Sequence, residues 1–202
     1  CKLIVIACNT ASSYAYRDVV DFLGGQVPIV NVIDPVVDHV ALCGQYKKIG
    51  VIGTKATIKS GIYPDKIREA NPELQVSSLA TPLLAPMIEE GFFNNTISHT
   101  VINSYLSSAK LKKVDSLILA CTHYPLIKAE VEAYYKGKVS IVNTAEIVAE
   151  HVKSRLTELD LLNTGVPARH QFFVSDYTAS FEKSTRMFFG EKIHLKQKNI
   201  WD

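Results

Sequence analysis

Two segments of the sequence end an apolar run on Ala-Cys and continue with small polar residues. The first reads "LIVIACNTAS" around Cys8, and the second reads "LILACTHYPL" around Cys121. A cysteine at the end of a buried strand is usually a packing residue. Here each thiol is followed by hydrogen-bonding side chains at the predicted start of a helix. A helix N-terminus favours anions and lowers the pKa of a nearby thiol, so both cysteines are candidates for chemistry.

Two such segments indicate a pseudo-repeat, in which two related α/β halves each present one thiol to a shared cleft. Thiols on opposite faces of one carbon atom can remove a proton from one side and return it to the other, which inverts a stereocentre. One cysteine must then be a thiolate while the other is a thiol, and the roles exchange with the direction of reaction. His123 is a candidate proton-handling partner for Cys121; a structural histidine hydrogen-bonded in a loop is the alternative.

Two other chemistries would also use cysteine and histidine. A structural zinc site needs four ligands, usually in paired short spacings, whereas Cys1, Cys8, Cys43 and Cys121 are widely separated and form no CxxC. A Cys–His hydrolase would explain His123 with either thiol, but it leaves the second motif without a role. We expect no metal, a packing role for Cys43, and free thiols in a reducing cytoplasm.

The elements that position these residues alternate between strand and helix patterns. Runs such as "LIVIA", "KKIGVIG" and "DSLILA" predict strands, and amphipathic segments such as "NNTISHTVINSYLSSAK" predict helices. We expect Asn9 or Thr10 to cap the first helix, Gly24 and Gly25 to end it, and Thr144 to cap the last long helix. This order implies an α/β fold with mainly parallel sheets and helices on both faces. In such sheets the functional residues lie at the C-terminal ends of the strands.

Hydroxyl groups and one carboxylate extend the list of candidates. Thr54 and Thr57 follow the strand "GVIG" in a segment, "TKATIKSGIY", that is expected to be a polar loop. The spacing matches neither GxGxxG nor GxxxxGK[ST], so these hydroxyls suit a small carboxylate ligand better than a nucleotide, with helix capping as the alternative. Glu89, at the end of "PLLAPMIEEG", is either an exposed helix end or reaches the cleft.

Composition excludes several classes of protein. Of the 202 residues 47% are apolar and 21% are charged, which is ordinary for a globular chain, and the net charge is only +2. The basic residues are dispersed, so we expect no nucleic-acid partner. No apolar run approaches the roughly 20 residues of a membrane span, and no signal peptide is visible. We therefore expect a cytoplasmic protein without a membrane partner.

Taken together, the motifs "ACNTAS" and "ACTHYPL" resemble those of the glutamate racemases, in the cofactor-independent aspartate/glutamate racemase family. The segments "VIGTKATIKSGIY" and "PLLAPMIEEG" are similar to the family segments between and after them, and the resemblance covers essentially all 202 residues. It implies interconversion of L- and D-glutamate, which supplies D-glutamate for peptidoglycan, without pyridoxal phosphate or a metal. Aspartate racemisation, or glutamate binding without catalysis, are the alternatives.

The resemblance also implies roles by motif position. Cys8 acts on D-glutamate, Cys121 acts on L-glutamate, and His123 assists Cys121. The other candidates hold the substrate or line the cleft: Asn9, Thr10, Thr54, Thr57, Glu89 and Thr122. We expect glutamate as the small-molecule substrate and a homodimer as the assembly.

The family fold implies two pseudo-symmetric α/β domains with the active-site cleft between them. Residues 1–32 and 144–202 would form the first domain, and residues 33–143 would form the second. The family normally has a leading segment with an Asp-Ser-Gly motif and a Pro-Tyr-Gly loop, and neither is present in this sequence. The first domain is therefore expected to be truncated at its N-terminus.

Overall fold

The computed structural model describes residues 1–166, 169–178, 182, 185, 186, 188–191 and 193–199. The strands are β1 Ile4–Ile6, β2 Ile29–Asn31, β3 Lys48–Gly53, β4 Gln75–Ala80, β5 Ser116–Ala120, β6 Ser140–Val142, β7 Phe172–Val174 and β8 Leu195–Gln197. The α-helices are α1 Asn9–Leu23, α2 Asp34–Leu42, α3 Lys55–Lys59, α4 Ile62–Ala70, α5 Leu84–Glu89, α6 Thr96–Leu106, α7 Lys128–Tyr135 and α8 Thr144–Glu158. Short 3-10 helices cover Ala109–Leu111 and Tyr124–Ile127.

The strands pair in parallel throughout the described residues. The main sheet has the order β4-β3-β5-β6, and two smaller sheets are formed by β1 with β2 and by β7 with β8. The predicted α/β class with parallel sheets is therefore confirmed. The main sheet lies within residues 33–143, whereas the division into two domains at those boundaries stays a prediction.

Apolar side chains cover both faces of the main sheet. On one face Ile49, Val51 and Ile118 pack with helices α2 and α4. On the other face Ile52 and Leu117 pack with α5, α6 and α7. Because successive side chains of a strand point to opposite faces, these continuous apolar runs suit a sheet that is buried on both sides. The sheet thus forms a rigid support for the residues at its edges.

Helix α1 begins at Asn9, and Cys8 is its N-cap residue, with extended backbone and no side-chain capping bond. The expected cap at Asn9 or Thr10 was therefore wrong. Both side chains have other partners: the Asn9 amide accepts a hydrogen bond from Tyr63, and the Thr10 hydroxyl contacts two other threonines. The predicted end of the helix is confirmed, since Gly24 has the left-handed conformation (φ 51°) that glycine adopts readily.

Two further local predictions need correction. The segment expected to be a polar loop contains helix α3, because the Thr54 side chain accepts a hydrogen bond from the Thr57 amide and caps the helix. Helix α8 is capped by Asn143, not by Thr144: the Asn143 side chain accepts from the backbone of Glu146. In the described ranges, no helix has the length and apolar character that crossing a membrane requires.

Candidate active site

The parallel register of the main sheet brings Thr54 and Cys121 to the same edge. Gly53 of β3 lies opposite Ala120 of β5, and each is the last residue of its strand. A Cβ atom at Gly53 would come within 3.0 Å of the Ala120 carbonyl oxygen. The absence of a side chain therefore permits the close approach of the two strand ends. The residues that follow them, Thr54 and Cys121, become neighbours at the carboxyl edge, where α/β sheets carry their sites.

Cys8 and Cys121 share one electrostatic environment. Cys8 is exposed at the start of α1, whereas Cys121 is only 7% exposed at the end of β5. Burial is the main cause that raises the pKa of the Cys121 thiol to about 11; negative charge on Cys8 and on Glu89 adds to the rise. A charge on one thiol is thus felt by the other, as a pair acting on one substrate requires.

The start of a helix after Cys121 was expected to lower the pKa of this thiol, whereas the pKa is raised. Hydrogen bonds from the backbone of His123 and Tyr124 lower this pKa, but burial outweighs them. The short 3-10 helix after the thiol does not compensate for the loss of water around it, because removing a thiolate from water is costly. The pKa of Cys121 was therefore predicted with the wrong sign.

His123 lies between Cys121 and Glu89. Its Nδ1 atom is 3.6 Å from the Cys121 sulfur, and its Nε2 atom is 2.9 Å from Glu89 Oε1. The ring also meets Phe188 edge-on, with centroids 5.7 Å apart. His123 and Cys121 are therefore neighbours in space, and the proton-handling role of His123 stays a prediction. Glu89, the last residue of α5, is 55% exposed and contacts this histidine, and its role in the cleft stays a prediction.

Three hydroxyl groups form a cluster where α1 meets α3. The Thr10 hydroxyl is 2.9 Å from that of Thr54 and 3.0 Å from that of Thr57, and the Thr54 hydroxyl donates to Thr57 over 3.0 Å. Thr57 is buried, and the other two are partly accessible. Hydroxyls can redirect their protons, so the cluster can offer donors to a carboxylate. The structure thus brings Thr10 to Thr54 and Thr57, which lie 44 and 47 positions further along the sequence.

Asn9 and Thr122 line a cavity of about 190 Å³ whose other walls include Val32 and Val148. Asn9 is buried, and its Oδ1 atom accepts a hydrogen bond of 2.7 Å from the hydroxyl of Tyr63. Sequence reasoning missed Tyr63. Its position in "VIGTKATIKSGIY" was the available signal, but nothing in the residue pattern distinguishes it from a core tyrosine.

The described part of the chain contains no group of three or more His, Cys, Asp or Glu side chains arranged to hold a metal ion. The site instead combines two thiols, an imidazole linked to a carboxylate, and neutral donors. Such a set can move protons and hold carboxylate groups.

Comparison with known proteins identifies the family. The family model described as Asp/Glu/Hydantoin racemase matches residues 1–152. The chain belongs to this racemase family. It is similar to the glutamate racemase of Geobacter metallireducens, with 38% identity over 95% of this chain and 71% of that protein.

Solved racemase structures have the same fold. A crystal structure of glutamate racemase from Francisella tularensis in complex with D-glutamate has a TM-score of 0.88 and 34% identity, over 98% of this chain and 73% of that one. Glutamate racemase isoform RacE1 from Bacillus anthracis has a TM-score of 0.89 and 29% identity, over 98% and 74% of the two chains. The chain thus spans about three quarters of the length of these two racemases.

Proposed function

We propose that this member of the racemase family interconverts L- and D-glutamate by transferring the α-proton between two thiols. The observation that carries the proposal is that Cys8 and Cys121 each follow a parallel strand, near enough to each other for negative charge on Cys8 to raise the pKa of Cys121. The similarity to glutamate racemases, including one solved with D-glutamate, supports glutamate as the substrate.

In the proposed reaction, the thiolate of one cysteine removes the α-proton, and the thiol of the other gives a proton to the opposite face. With D-glutamate, Cys8 takes the proton and Cys121 supplies the new one. The raised pKa of Cys121 fits this direction, because the thiol is protonated at neutral pH. In the reverse direction Cys121 must first lose its proton. His123, with Nδ1 3.6 Å from the sulfur, is placed to accept it.

The neutral polar side chains of the site are assigned to the substrate: their N–H and O–H groups donate to its carboxylates, and hydroxyl oxygens accept from its ammonium group. The hydroxyls of Thr10, Thr54 and Thr57 lie close enough to bind one carboxylate together. Asn9 and Thr122, which follow Cys8 and Cys121 in the sequence, line the cavity of about 190 Å³ and supply an amide and a further hydroxyl. Because these groups are neutral, they hold the substrate between the thiols without adding a fixed charge to the site.

The biological setting follows from the same proposal. D-glutamate formed in the cytoplasm would be used for peptidoglycan, and the enzyme would act as a homodimer. These three statements stay predictions.

The test is racemisation in heavy water. L-glutamate incubated with the protein is expected to gain deuterium at the α-carbon, seen by NMR, while its optical activity falls. Cys8→Ala and Cys121→Ala should each abolish the loss of optical activity. Cys43→Ala, at the C-terminal end of α2, is the matched control and should keep the parent rate. Racemisation at the parent rate in either of the first two variants would contradict the proposal, and faster turnover of aspartate than of glutamate would change the substrate.

A further inference from the structure

Tyr63 is a fully buried residue that contacts the site through one hydrogen bond. Its ring, on α4, is 1% exposed in the core between α2, α4 and the main sheet. Its hydroxyl donates to Asn9 Oδ1 over 2.7 Å. Asn9 directly follows Cys8 at the start of α1. Tyr63 therefore links the core of the main sheet to the side chain beside the first thiol.

This hydrogen bond determines which end of the Asn9 amide can bind a ligand. Among the described residues, the Tyr63 hydroxyl has Asn9 as its hydrogen-bonding partner, and the Asn9 Nδ2 group has none. If the amide were rotated by half a turn, the buried phenol proton would face an NH₂ group and lose its acceptor. A buried donor without an acceptor costs free energy. The amide oxygen is thus held at Tyr63, which leaves the Nδ2 group as the donor that Asn9 can offer to a ligand.

We propose that Tyr63 is a positioning residue: its hydroxyl holds the Asn9 amide so that Nδ2 donates to glutamate beside Cys8. The inference rests on the proposed racemase function and deepens it, since it adds a residue that determines how the substrate is held without touching the substrate.

The environment of Tyr63 supports a donor role at all working pH values. Burial, with a smaller contribution from the negative charge of Asp34, raises the pKa of the Tyr63 hydroxyl well above its ordinary value. The phenol therefore stays protonated. The Asn9 amide therefore keeps its hydrogen-bond donor, and with it one orientation.

Helix α1 offers a matched control for this hydrogen bond. The hydroxyl of Tyr14, also on α1, donates to the backbone oxygen of Ala56 on α3 over 3.1 Å. Tyr14→Phe and Tyr63→Phe each remove one tyrosine hydroxyl that links α1 to the segment after β3. Only the second removal changes the partner of Asn9.

The first experiment measures steady-state racemisation of both enantiomers. In Tyr63→Phe the KM for D- and L-glutamate should rise about tenfold with a smaller change in kcat, because one oriented donor to the bound substrate is lost. Tyr14→Phe should have the parent KM. In an Asn9→Ala background, Tyr63→Phe should cause no additional rise, because its effect passes through the Asn9 amide. The inference would be overturned if Tyr63→Phe left the KM unchanged. It would also be overturned if Tyr63→Phe raised the KM by the same factor in the Asn9→Ala variant as in the parent protein.

A second measurement does not depend on turnover. The side-chain amide resonances of Asn9 in an NMR spectrum can be assigned by their loss in Asn9→Ala. They should shift in Tyr63→Phe and stay in place in Tyr14→Phe; unchanged resonances in Tyr63→Phe would refute the positioning role. If the parent protein neither binds nor racemises glutamate, the proposed function fails, while the resonances still report whether Tyr63 orients Asn9.

Discussion

Glu89 Oε1 lies 2.9 Å from Nε2 of His123, and the other ring nitrogen of His123 faces the sulfur of Cys121. A carboxylate that accepts from Nε2–H fixes the tautomer in which Nδ1 carries a lone pair. The ring nitrogen beside the thiol is then the acceptor. This relationship explains how a thiol with a raised pKa can still lose its proton to a neighbour, and it gives Glu89 a role in the orientation of the imidazole.

Replacing Glu89 with Gln should slow racemisation. The Gln amide can either accept from or donate to Nε2, so the tautomer of His123 is no longer fixed. We expect kcat/KM to fall about tenfold, which corresponds to about 1.4 kcal/mol of transition-state stabilisation. The fall must be equal for the two enantiomers, because their equilibrium constant is one.

The adjacent Glu90→Gln is the matched control for Glu89→Gln. Glu90 is the exposed residue directly after α5, and its substitution removes the same charge. Its kcat/KM should equal that of the parent, and an equal loss in both variants would show that net charge, not the contact with His123, causes the effect.

The pKa of about 11 for Cys121 predicts the order of thiol alkylation. The thiolate is the reactive form, so at pH 8 the buried Cys121 should react with iodoacetamide more slowly than the exposed Cys8. Raising the pH toward the pKa increases the thiolate fraction, and the rate at Cys121 should rise with it. Mass spectrometry of the digested protein measures both rates, with the half-buried Cys43 as an internal reference. Equal rates at Cys8 and Cys121 at pH 8 would contradict the assigned pKa direction.

The sequence was sufficient to predict the parallel sheets and the two thiol motifs, because buried strands and the residues after them are local patterns. It was not sufficient for contacts made by tertiary packing. Thr10 meets Thr54 across 44 positions of sequence, and no periodicity reports such a contact. The direction of the Cys121 pKa shift was predicted wrongly for a similar reason. The polar residues after the thiol, which lower its pKa, are visible in the sequence, whereas its burial, which raises the pKa more, depends on the helices that cover β5.

Thr54 has two separable roles, in helix capping and in the hydroxyl cluster. Thr54→Ala removes the cap of α3 and one hydroxyl beside Thr10. Loss of an N-cap costs about 1 kcal/mol of stability, and loss of a donor should raise the KM for glutamate as well.

Asn95→Ala is the control, because it removes the cap of α6. It should reduce the unfolding free energy by a similar amount and leave the KM equal to that of the parent protein. Denaturant unfolding and initial rates separate the two effects. A parent KM in Thr54→Ala would limit Thr54 to the capping role.

The approach of Gly53 to Ala120 makes the spacing of the site sensitive to a single methyl group. In Gly53→Ala the new Cβ atom would lie 3.0 Å from the Ala120 carbonyl oxygen, so the backbone of β5 would have to shift by a few tenths of an ångström. Overpacking of this kind costs about 1–3 kcal/mol. Since Thr54 and Cys121 follow the two strand ends, the shift should also lower kcat/KM.

Gly165→Ala is the control, because its Cβ would meet Asn163 at 3.5 Å, an ordinary contact distance. Thermal unfolding and initial rates should be those of the parent in Gly165→Ala and reduced together in Gly53→Ala. If Gly53→Ala kept the parent kcat/KM while its Tm fell, the separation of the strand ends would not control the geometry of the thiol and hydroxyl groups.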